Sequence, residues 1–295
     1  MKKISRLLAL LLVSLMVSAL AACGNGNENK ETTTAAAATD SQSQETANSE
    51  SLEAEETDAS TELEYTKLVV GVDDTFAPMG FRDENNELVG FDIDLANAIG
   101  EYLGVEIEFQ TIEWSMKEME LNQGNIDLIW NGYTITEERK EKVNFTKPYL
   151  NNSQVVAVMA DSGIETLADL EGKVVAAQTD SSALEAIDSK PDIRDTFAGL
   201  VTQDTNDMCI LELEGGRSDA VVADSVLLNY VISHKDDPSR FHILEENFGT
   251  EEYGVGVRKE DAALLNALNE ALDALKADGT AAEISTKWFG EDIVK

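Results

Sequence analysis

The sequence predicts an α/β protein with two lobes, each built on a mostly parallel β-sheet. From residue 67 onward, short apolar strands alternate with helical segments that end at glycines, which is typical of right-handed βαβ units. The order helix, glycine, aspartate, apolar strand occurs twice, in "MELNQGNIDLIWNG" and in "LELEGGRSDAVVAD". Such a repeat indicates two related lobes. A single sheet of βαβ units would give the same order, and the repeat alone does not separate these alternatives.

The first half of the folded region carries the clearest element patterns. "KLVVGV" (67–72) is an apolar run that predicts a buried strand. In "GFDIDLANAIGEYLG", Phe91 and Leu95 lie on one helical face and Gly104 ends the helix. "VEIEFQ" predicts a strand, "SMKEMELNQG" a helix that ends at Gly124, and "IDLIW" the next strand. Asp127 precedes that strand and is expected to have a structural role.

The second half repeats this alternation. "GIETLADLEGKVVAAQTDSS" predicts a helix and a strand that ends at Gln178, and "NDMCILELEGG" predicts an amphipathic helix in which Cys209 packs as a small apolar residue. "YGVGV" (253–257) predicts another strand. Two helices close the chain, and their apolar faces carry Leu265, Leu268, Leu272 and Leu275, then Ile284, Trp288 and Phe289.

The N-terminal region reads as an export signal followed by a spacer. "MKKISRLLALLLVSLMVSALAACG" has a basic start, a short apolar run and small residues before Cys23. "LAAC" resembles the lipobox of bacterial lipoproteins, so we expect cleavage after residue 22 and lipidation of Cys23. A single membrane span is the alternative, but the apolar run is short for one. Residues 23–64 are acidic and poor in large apolar side chains, which predicts a disordered linker.

Composition limits the possible functions. Lys and Arg number 22 against 57 Asp and Glu, a formal charge of −35, which excludes binding to nucleic acid or to an anionic membrane surface by overall charge. The two histidines, His234 and His242, have no second metal ligand at a suitable spacing, and no nucleophile–base grouping is present. We therefore predict no metal site, no cofactor and no catalytic residues, and expect that the protein is not an enzyme.

The stretch "NIDLIWNGYTITEERK" places a cation where the helix dipole favours an anion. An apolar strand stops at Asn131 and Gly132, and a helix then opens near Thr134 with Arg139 in its first turn. Free N–H groups, the helix dipole and a planar guanidinium together suit a bound carboxylate. The alternative is a surface arginine that pairs with the neighbouring glutamates.

Several segments together resemble a known family. The segments are "LVVGVDDTFAPMGFRDENNELVGFDIDLANAIGEYLG", "NIDLIWNGYTITEERKEKVNFTKPY", "DLEGKVVAAQTDSS", "GGRSDAVVADS", "EEYGVGVRKED" and "LKADGTAAEISTKWFG". Their order and spacing from 67 to 290 are similar to solute-binding protein family 3, the polar amino acid-binding proteins of ABC importers. The resemblance implies a periplasmic-binding-protein-like (type II) fold, with two crossing strands between the lobes. Lobe 1 would comprise 65–153 and 250–295, and lobe 2 would be 154–249.

The resemblance also implies an amino acid site in the cleft between the lobes. Arg139 would bind the α-carboxylate and Asp224 the ammonium group, one from each lobe. The other residues that match the family's site are Asp73, Phe76 and Trp114 for the side chain, Asn131, Gly132 and Thr134 beside Arg139, and Gln178, Ser181 and Ser182 on lobe 2. Asp180 is a departure, because relatives tend to have glycine there. On sequence alone, core packing of Phe76 and of Trp114 is an equal alternative.

The charges around this site limit the ligand. Asp73, Asp74 and Asp180 surround it and no cation besides Arg139 is evident, which disfavours glutamate and aspartate. Glutamine, a basic amino acid and cystine all fit, and the sequence does not rank them.

The expected partners follow from the resemblance and the signal. We expect a monomer that is lipid-anchored to the outer face of the bacterial cytoplasmic membrane and delivers its ligand to an ABC importer permease. Two alternatives share the fold: a sensory ligand-binding protein, and a cyclohexadienyl dehydratase-like enzyme, which would need a further cation and a positioned proton donor.

Overall fold

The computed structural model describes residues 65–295. The predicted signal peptide (1–22), the lipidation site Cys23 and the linker (23–64) lie outside the described residues and stay predictions. Among residues 65–295, none of the helices combines the length and the apolar composition that crossing a membrane requires.

The strands are β1 (Lys67–Val72), β2 (Thr75–Phe76), β3 (Gly80–Arg82), β4 (Leu88–Val89), β5 (Glu106–Thr111), β6 (Leu128–Ile129), β7 (Asn144–Phe145), β8 (Leu150–Met159), β9 (Val174–Gln178), β10 (Gly199–Gln203), β11 (Ala220–Asp224), β12 (Phe241–Ile243), β13 (Gly249–Tyr253) and β14 (Gly256–Val257). The α-helices are α1 (Phe91–Leu103), α2 (Lys117–Gln123), α3 (Glu137–Lys142), α4 (Ser182–Asp188), α5 (Pro191–Arg194), α6 (Asn206–Glu214), α7 (Ser225–Ser233), α8 (Ala262–Asp278) and α9 (Thr280–Phe289). Three short 3₁₀ helices cover Trp114–Met116, Leu167–Leu170 and Pro238–Arg240.

Two sheets form the two lobes, as the sequence predicted. The first has the strand order β5-β1-β6-β14-β7, and the second has the order β10-β9-β11-β8-β12. In each sheet the three strands from the βαβ units are parallel, and the neighbouring strands run antiparallel to them. The sheets are therefore mixed, because β8 and β14 enter them as the chain passes between the lobes.

The repeated aspartate has the same structural role in both lobes. The Asp127 carboxylate accepts from the backbone N–H of Val69 on the neighbouring strand at 2.9 Å, and that of Asp219 accepts from Val174 at 2.8 Å. Asp127 also pairs with Arg258 at 2.8 Å. Both aspartates thus join adjacent parallel strands at the end of the sheet opposite the cleft.

Two long strands connect the lobes. β8 pairs with β13 in an antiparallel ladder in which Ser153 faces Thr250. The predicted lobe boundaries, at 153/154 and 249/250, lie within this ladder and stay predictions. A hinge of two paired strands lets each lobe move as a body while the connection itself stays hydrogen-bonded.

The core of each lobe is formed by the apolar faces that the sequence predicted. Phe91, Leu95 and Ile99 of α1 are buried, and Leu268 and Leu275 of α8 pack in the same cluster. Cys209 is buried on α6, and this burial raises the pKa of its thiol to about 12. It therefore behaves as a small apolar residue.

Candidate functional site

The predicted site residues lie where the parallel strands of the two sheets end. Asp73 directly follows β1, Asn131 follows β6 by two residues, Gln178 ends β9 and Asp224 ends β11. The carboxyl ends of parallel strands are where α/β folds bind ligands. The two sheets present these ends to each other across the cleft, and side chains from both lobes are in contact there.

Arg139 is buried in this cleft with its guanidinium directed at both lobes. It is 3% exposed, and its backbone N–H is capped by the Thr136 hydroxyl at the start of α3. Nη1 donates to the carbonyl of Thr134 at 3.0 Å, and Nη2 donates to the carbonyl of Asp180 on the other lobe at 3.2 Å. Nε lies 3.7 Å from the carboxylate of Glu185. Among residues 65–295, each terminal nitrogen therefore has one further N–H available for a ligand.

The turn after β6 is fixed by a buried carboxyl group. Gly132 has a φ of 58° and donates its N–H to Asp92 at 2.7 Å, and Tyr149 donates to the same oxygen at 3.0 Å. Burial raises the pKa of Asp92 to about 7. Gly132 is one of the site residues that the resemblance implies, and its N–H is used by Asp92.

Asn131 is buried beside this turn, and its amide has no partner. Its side chain is 1% exposed, and neither the nitrogen nor the oxygen has a hydrogen-bond partner within residues 65–295. A Cβ on Gly80 would lie 2.4 Å from the Asn131 amide oxygen, so glycine is needed there for close packing. The amide nitrogen and the amide oxygen of Asn131 are thus both unpaired among the described residues.

Hydroxyl groups from the two lobes meet next to Arg139. Thr134 Oγ1 lies 3.0 Å from Ser182 Oγ, and Gln154 on β8 donates to the same Ser182 oxygen at 3.1 Å. The Ser181 hydroxyl instead donates to the carbonyl of Gln178 within its own lobe at 2.8 Å. Thr134 and Ser182 thus form a direct contact across the cleft.

Asp224 lies at the floor of the cleft against the hinge. It is 4% exposed and accepts from Asn152 Nδ2 at 2.7 Å and from the Tyr253 hydroxyl at 2.5 Å, both at Oδ1. Glu251 on β13 is adjacent and accepts from Asn152 and Gln154 at 2.6 and 2.9 Å. Burial, and then the charge of Glu251, raise the pKa of Asp224 well above its ordinary value. Within residues 65–295, no lysine, arginine or histidine pairs with Asp224.

A continuous set of hydrogen bonds connects Arg139 to Asp224. Its members in order are Arg139, Thr134, Ser182, Gln154, Glu251, Asn152 and Asp224. The set passes from lobe 1 to lobe 2 and then through both hinge strands.

A second contact across the cleft joins Asp73 and Gln178. Gln178 Nε2 donates to the Asp73 carboxylate at 2.7 Å, and Thr75 donates to its other oxygen through its backbone and hydroxyl groups. Asn206 fixes the Gln178 amide by donating to its oxygen at 2.9 Å. Burial raises the pKa of Asp73, although these hydrogen bonds oppose the shift. No cation within residues 65–295 pairs with Asp73.

The two predicted aromatic residues are both mostly buried. Phe76 is 6% exposed and packs against Gly132, where a Cβ would lie 2.7 Å from the ring. Trp114 is 7% exposed and contacts Tyr133 edge-on, with ring centroids 5.8 Å apart. Trp114 also lines a cavity of about 290 Å³ next to Asp73.

This cavity is acidic. Its lining residues are Asp73, Asp74, Thr75, Thr111, Ile112, Glu113, Trp114, Ser115, Thr179, Asp204 and Thr205, drawn from both lobes. They include four carboxylates and no lysine, arginine or histidine. Asp74 pairs with Arg82 at 2.8 Å, so three of the carboxylates have no cationic partner within residues 65–295.

Arg139 is not the one cation of this cleft, as the sequence had indicated, because the Lys117 ammonium also lies there. Lys117 is the first residue of α2 and is 2% exposed. Its ammonium donates to the carbonyls of Trp114 and Asp180, at 3.1 and 3.0 Å. Burial, and then the charge of Arg139, lower its pKa to about 8. "SMKEMELNQ" has the pattern of an amphipathic helix with an exposed lysine, and nothing in it signals that this lysine is buried.

The departure at Asp180 has a backbone explanation. Asp180 has a φ of 54°, the left-handed conformation that favours glycine and that aspartate tolerates better than most residues. Its side chain is exposed while its carbonyl lies between the lobes. The residue therefore forms a left-handed turn of the kind that favours glycine.

The sequence analysis also missed the hinge residues of the site. Asn152 and Gln154 are polar and buried on β8, Glu251 lies opposite Asn152 on β13, and Tyr253 ends that strand opposite Leu150. The one signal is that "LNNSQVVAVM" begins with polar residues although it continues as an apolar strand. Among the described residues, no group of three or more His, Cys, Asp or Glu is arranged to hold a metal ion.

Two α/β lobes on a two-stranded hinge, with opposite charges from the two lobes in a closed cleft, define the class of two-lobed solute-binding proteins. Residues 68–291 match the model of the bacterial extracellular solute-binding proteins, family 3. The chain belongs to this family.

Individual relatives agree with this assignment. The chain is 35% identical over 229 residues to the ABC transporter arginine-binding protein 1 of Escherichia coli K12, covering 76% of this chain and 90% of the relative. It is 31% identical over 232 residues to the L-cystine-binding protein TcyJ of the same organism, covering 77% and 84%.

Solved structures show the same fold. A substrate-binding protein of an ABC uptake transporter from Streptococcus pneumoniae, with bound histidine, is 39% identical with a TM-score of 0.76, covering 78% of this chain and 95% of that one. An ancestral arginine-binding protein bound to glutamine is 41% identical with a TM-score of 0.70, covering 77% and 99%.

Proposed function

We propose that this protein binds a free amino acid between its lobes and delivers it to the permease of an ABC importer. The observation that carries the proposal is the pair Arg139 and Asp224. One lies on each lobe, both are buried in the same cleft, and hydrogen bonds connect them across it. An amino acid has a carboxylate and an ammonium group on one carbon, so it neutralises both charges at once.

The binding mode follows from the hydrogen-bonding groups that remain available. The ligand carboxylate accepts from the two further N–H groups of Arg139, which is the planar arrangement that favours a carboxylate. The ammonium group donates to Asp224, whose two protein hydrogen bonds both use Oδ1. Since a buried carboxylate without a cation is costly, the ammonium group stabilises the closed form. Binding and closure are therefore linked.

The acidic cavity supports a basic side chain. It lies beside Asp73 and Trp114 and has about 290 Å³ of space. Carboxylates attract a cationic side chain, and the Trp114 ring adds a cation–π contact. We rank arginine and histidine first and glutamine next; cystine ranks below them because its second carboxylate would enter an acidic cavity. Relatives named for arginine, histidine and cystine are all among the similar proteins, so the order rests on the acidic lining of the cavity.

A ligand with a lysine or arginine side chain would place its cation in the acidic cavity, away from the Lys117 ammonium. Lys117 contacts Asp180 and lies at the Arg139 end of the cleft. It is not among the residues that line the acidic cavity. An acidic ligand side chain would still meet carboxylates there, which keeps glutamate and aspartate disfavoured.

Membrane attachment is a separate part of the proposal. Lipidation of Cys23 would anchor the protein, as a monomer, to the outer face of the bacterial cytoplasmic membrane, and residues 24–64 would act as a flexible tether. A Cys23→Ser variant expressed in a bacterium should move from the membrane fraction to the released fraction. Equal membrane retention of both forms would contradict lipid anchoring.

A ligand panel tests the binding function. The purified protein is unfolded and refolded to remove carried ligand, and its melting temperature is measured with each common amino acid, cystine and prephenate. A ligand at 100 times its dissociation constant adds about 2.7 kcal/mol to the free energy of unfolding, a clear rise in melting temperature. We expect the largest rise with a basic amino acid. A rise with prephenate and with no amino acid would instead support the dehydratase alternative.

A further inference from the structure

Lys117 makes a contact between the lobes that amino acid binding itself does not require. Its ammonium group is buried at the start of α2 in lobe 1 and donates to the carbonyl of Trp114 in the same lobe at 3.1 Å. It also donates to the carbonyl of Asp180, between β9 and α4 in lobe 2, at 3.0 Å. The Asp180 contact therefore exists only while the lobes are closed.

The same carbonyl also accepts from Arg139. Arg139 Nη2 lies 3.2 Å from the Asp180 oxygen, so two cations of lobe 1 hold one backbone oxygen of lobe 2. Arg139 has a second task under the proposed function, because its guanidinium must also bind the ligand carboxylate. Lys117 does not contact the ligand under the proposed function. Its contact with the Asp180 carbonyl therefore serves only to hold the loop between β9 and α4.

The burial of Lys117 is offset mainly by these contacts. Within residues 65–295 the only carboxylate within ion-pair distance is that of Glu118, at 3.6 Å. The Trp114 ring adds a cation–π contact, with the ammonium 5.1 Å from the ring centroid. A charged donor contributes more to a hydrogen bond than a neutral one, so the Asp180 contact favours the closed form over an open form in which water solvates Lys117.

We propose that Lys117 is an interlobe latch: by holding the Asp180 carbonyl it stabilises the closed form and sets how slowly the bound amino acid leaves. The identity of the bound amino acid rests on the proposed function, whereas the effect of Lys117 on lobe closure does not. Lys117 is a positioning residue, since it acts through the loop that includes Asp180 and Ser182. It slows opening, and it leaves the encounter of the ligand with the open lobe unchanged.

Stopped-flow kinetics with the bound amino acid test the latch. Lys117→Met keeps most of the side-chain volume and removes the charge and the donor. We expect the dissociation rate constant to rise by about 10- to 100-fold, which corresponds to the loss of one charge-assisted hydrogen bond. The association rate constant should stay the same or rise, because the ligand enters the open form and the variant is open more often. Lys117→Leu, which also lacks a charge and a donor, serves the same test if the methionine variant does not fold.

Lys142→Met is the matched control. Lys142 lines the same cavity of about 280 Å³ as Lys117 but pairs with Glu138 at 2.7 Å in its own lobe and makes no hydrogen bond to lobe 2. Its removal should leave both rate constants unchanged. A dissociation rate of Lys117→Met within about twofold of the wild type would overturn the latch. A Lys117→Met protein with both a lower ligand-free melting temperature and a lower association rate constant would also overturn the latch, because these two changes would indicate a general structural role.

Small-angle X-ray scattering of the ligand-free protein tests closure without any ligand. The latch predicts a larger radius of gyration for Lys117→Met than for the wild type and for Lys142→Met, because more molecules are open. Equal radii would count against it. If the wild type binds no amino acid, the proposed function fails, while scattering still decides the latch.

Discussion

Replacing Arg139 by glutamine should remove the principal contact of the ligand carboxylate. The wild-type guanidinium is held by the Thr134 and Asp180 carbonyls and has one further N–H on each terminal nitrogen for a ligand. Glutamine is shorter and uncharged, and it has a single NH₂ group. It cannot form two parallel hydrogen bonds with a carboxylate.

The size of the effect follows from the two hydrogen bonds that are lost. Hydrogen bonds to a charged group contribute about 1.5–3 kcal/mol each, so their loss together costs about 3–6 kcal/mol. Since about 1.4 kcal/mol corresponds to a tenfold change in the dissociation constant, affinity for the amino acid should fall by about 100- to 10,000-fold.

Isothermal titration calorimetry measures this change directly. Lys140→Gln is the control, because Lys140 lies on the same helix, α3, and pairs at the surface with Glu137 at 2.7 Å. It loses the same charge outside the cleft and should bind as the wild type does. An Arg139→Gln protein that is folded and binds within about tenfold of the wild type would refute the assignment of Arg139 to the carboxylate.

Three further predictions address other parts of the site. Affinity should rise with pH as Asp224 loses its proton, because the ligand ammonium needs the ionised carboxylate. The Glu251 charge raises the pKa of Asp224, so Glu251→Gln should move this rise in affinity to lower pH, as measured by calorimetry between about pH 5 and pH 9. An affinity profile that does not move would contradict the coupling of the two groups. Asp73→Asn should weaken binding of arginine by about tenfold more than binding of glutamine, and an equal loss in calorimetry would exclude Asp73 from side-chain recognition. Asp180→Val should lower the free energy of unfolding by about 1–2 kcal/mol in denaturant titrations, because a φ of 54° disfavours β-branched residues. Asp180→Gly should not lower it. Equal stability of the two variants would contradict the strained turn.

The sequence predicted the elements with strong local signals. α1 and α8 have clear apolar faces, and Gly104 ends α1 in the left-handed conformation, as expected. Gly279 ends α8 in the same conformation. The paired roles of Asp127 and Asp219 were also predictable, because the motif repeats. Local patterns and their repetition therefore predicted the α/β units, and the family resemblance decided for two lobes over a single sheet.

Contacts between distant segments were not predictable. Lys117 and Asp180 are 63 residues apart, and Asn152 and Glu251 are 99 apart, so no local pattern connects them. The burial of Lys117 depends on how the lobes close, and the role of Glu251 depends on the register of β8 against β13. For that reason, the site residues that the resemblance implied were not enough to predict the number of charged groups in the cleft.

Calorimetry with three related ligands tests the central claim that Arg139 and Asp224 bind the two charges of one amino acid. The ligands are arginine, agmatine, which lacks the carboxylate, and 5-guanidinopentanoate, which lacks the ammonium group. We predict that each analogue binds at least about 100-fold more weakly than arginine, and that Asp224→Asn weakens arginine binding but leaves binding of 5-guanidinopentanoate nearly unchanged. Binding of either analogue within about tenfold of arginine would contradict the claim.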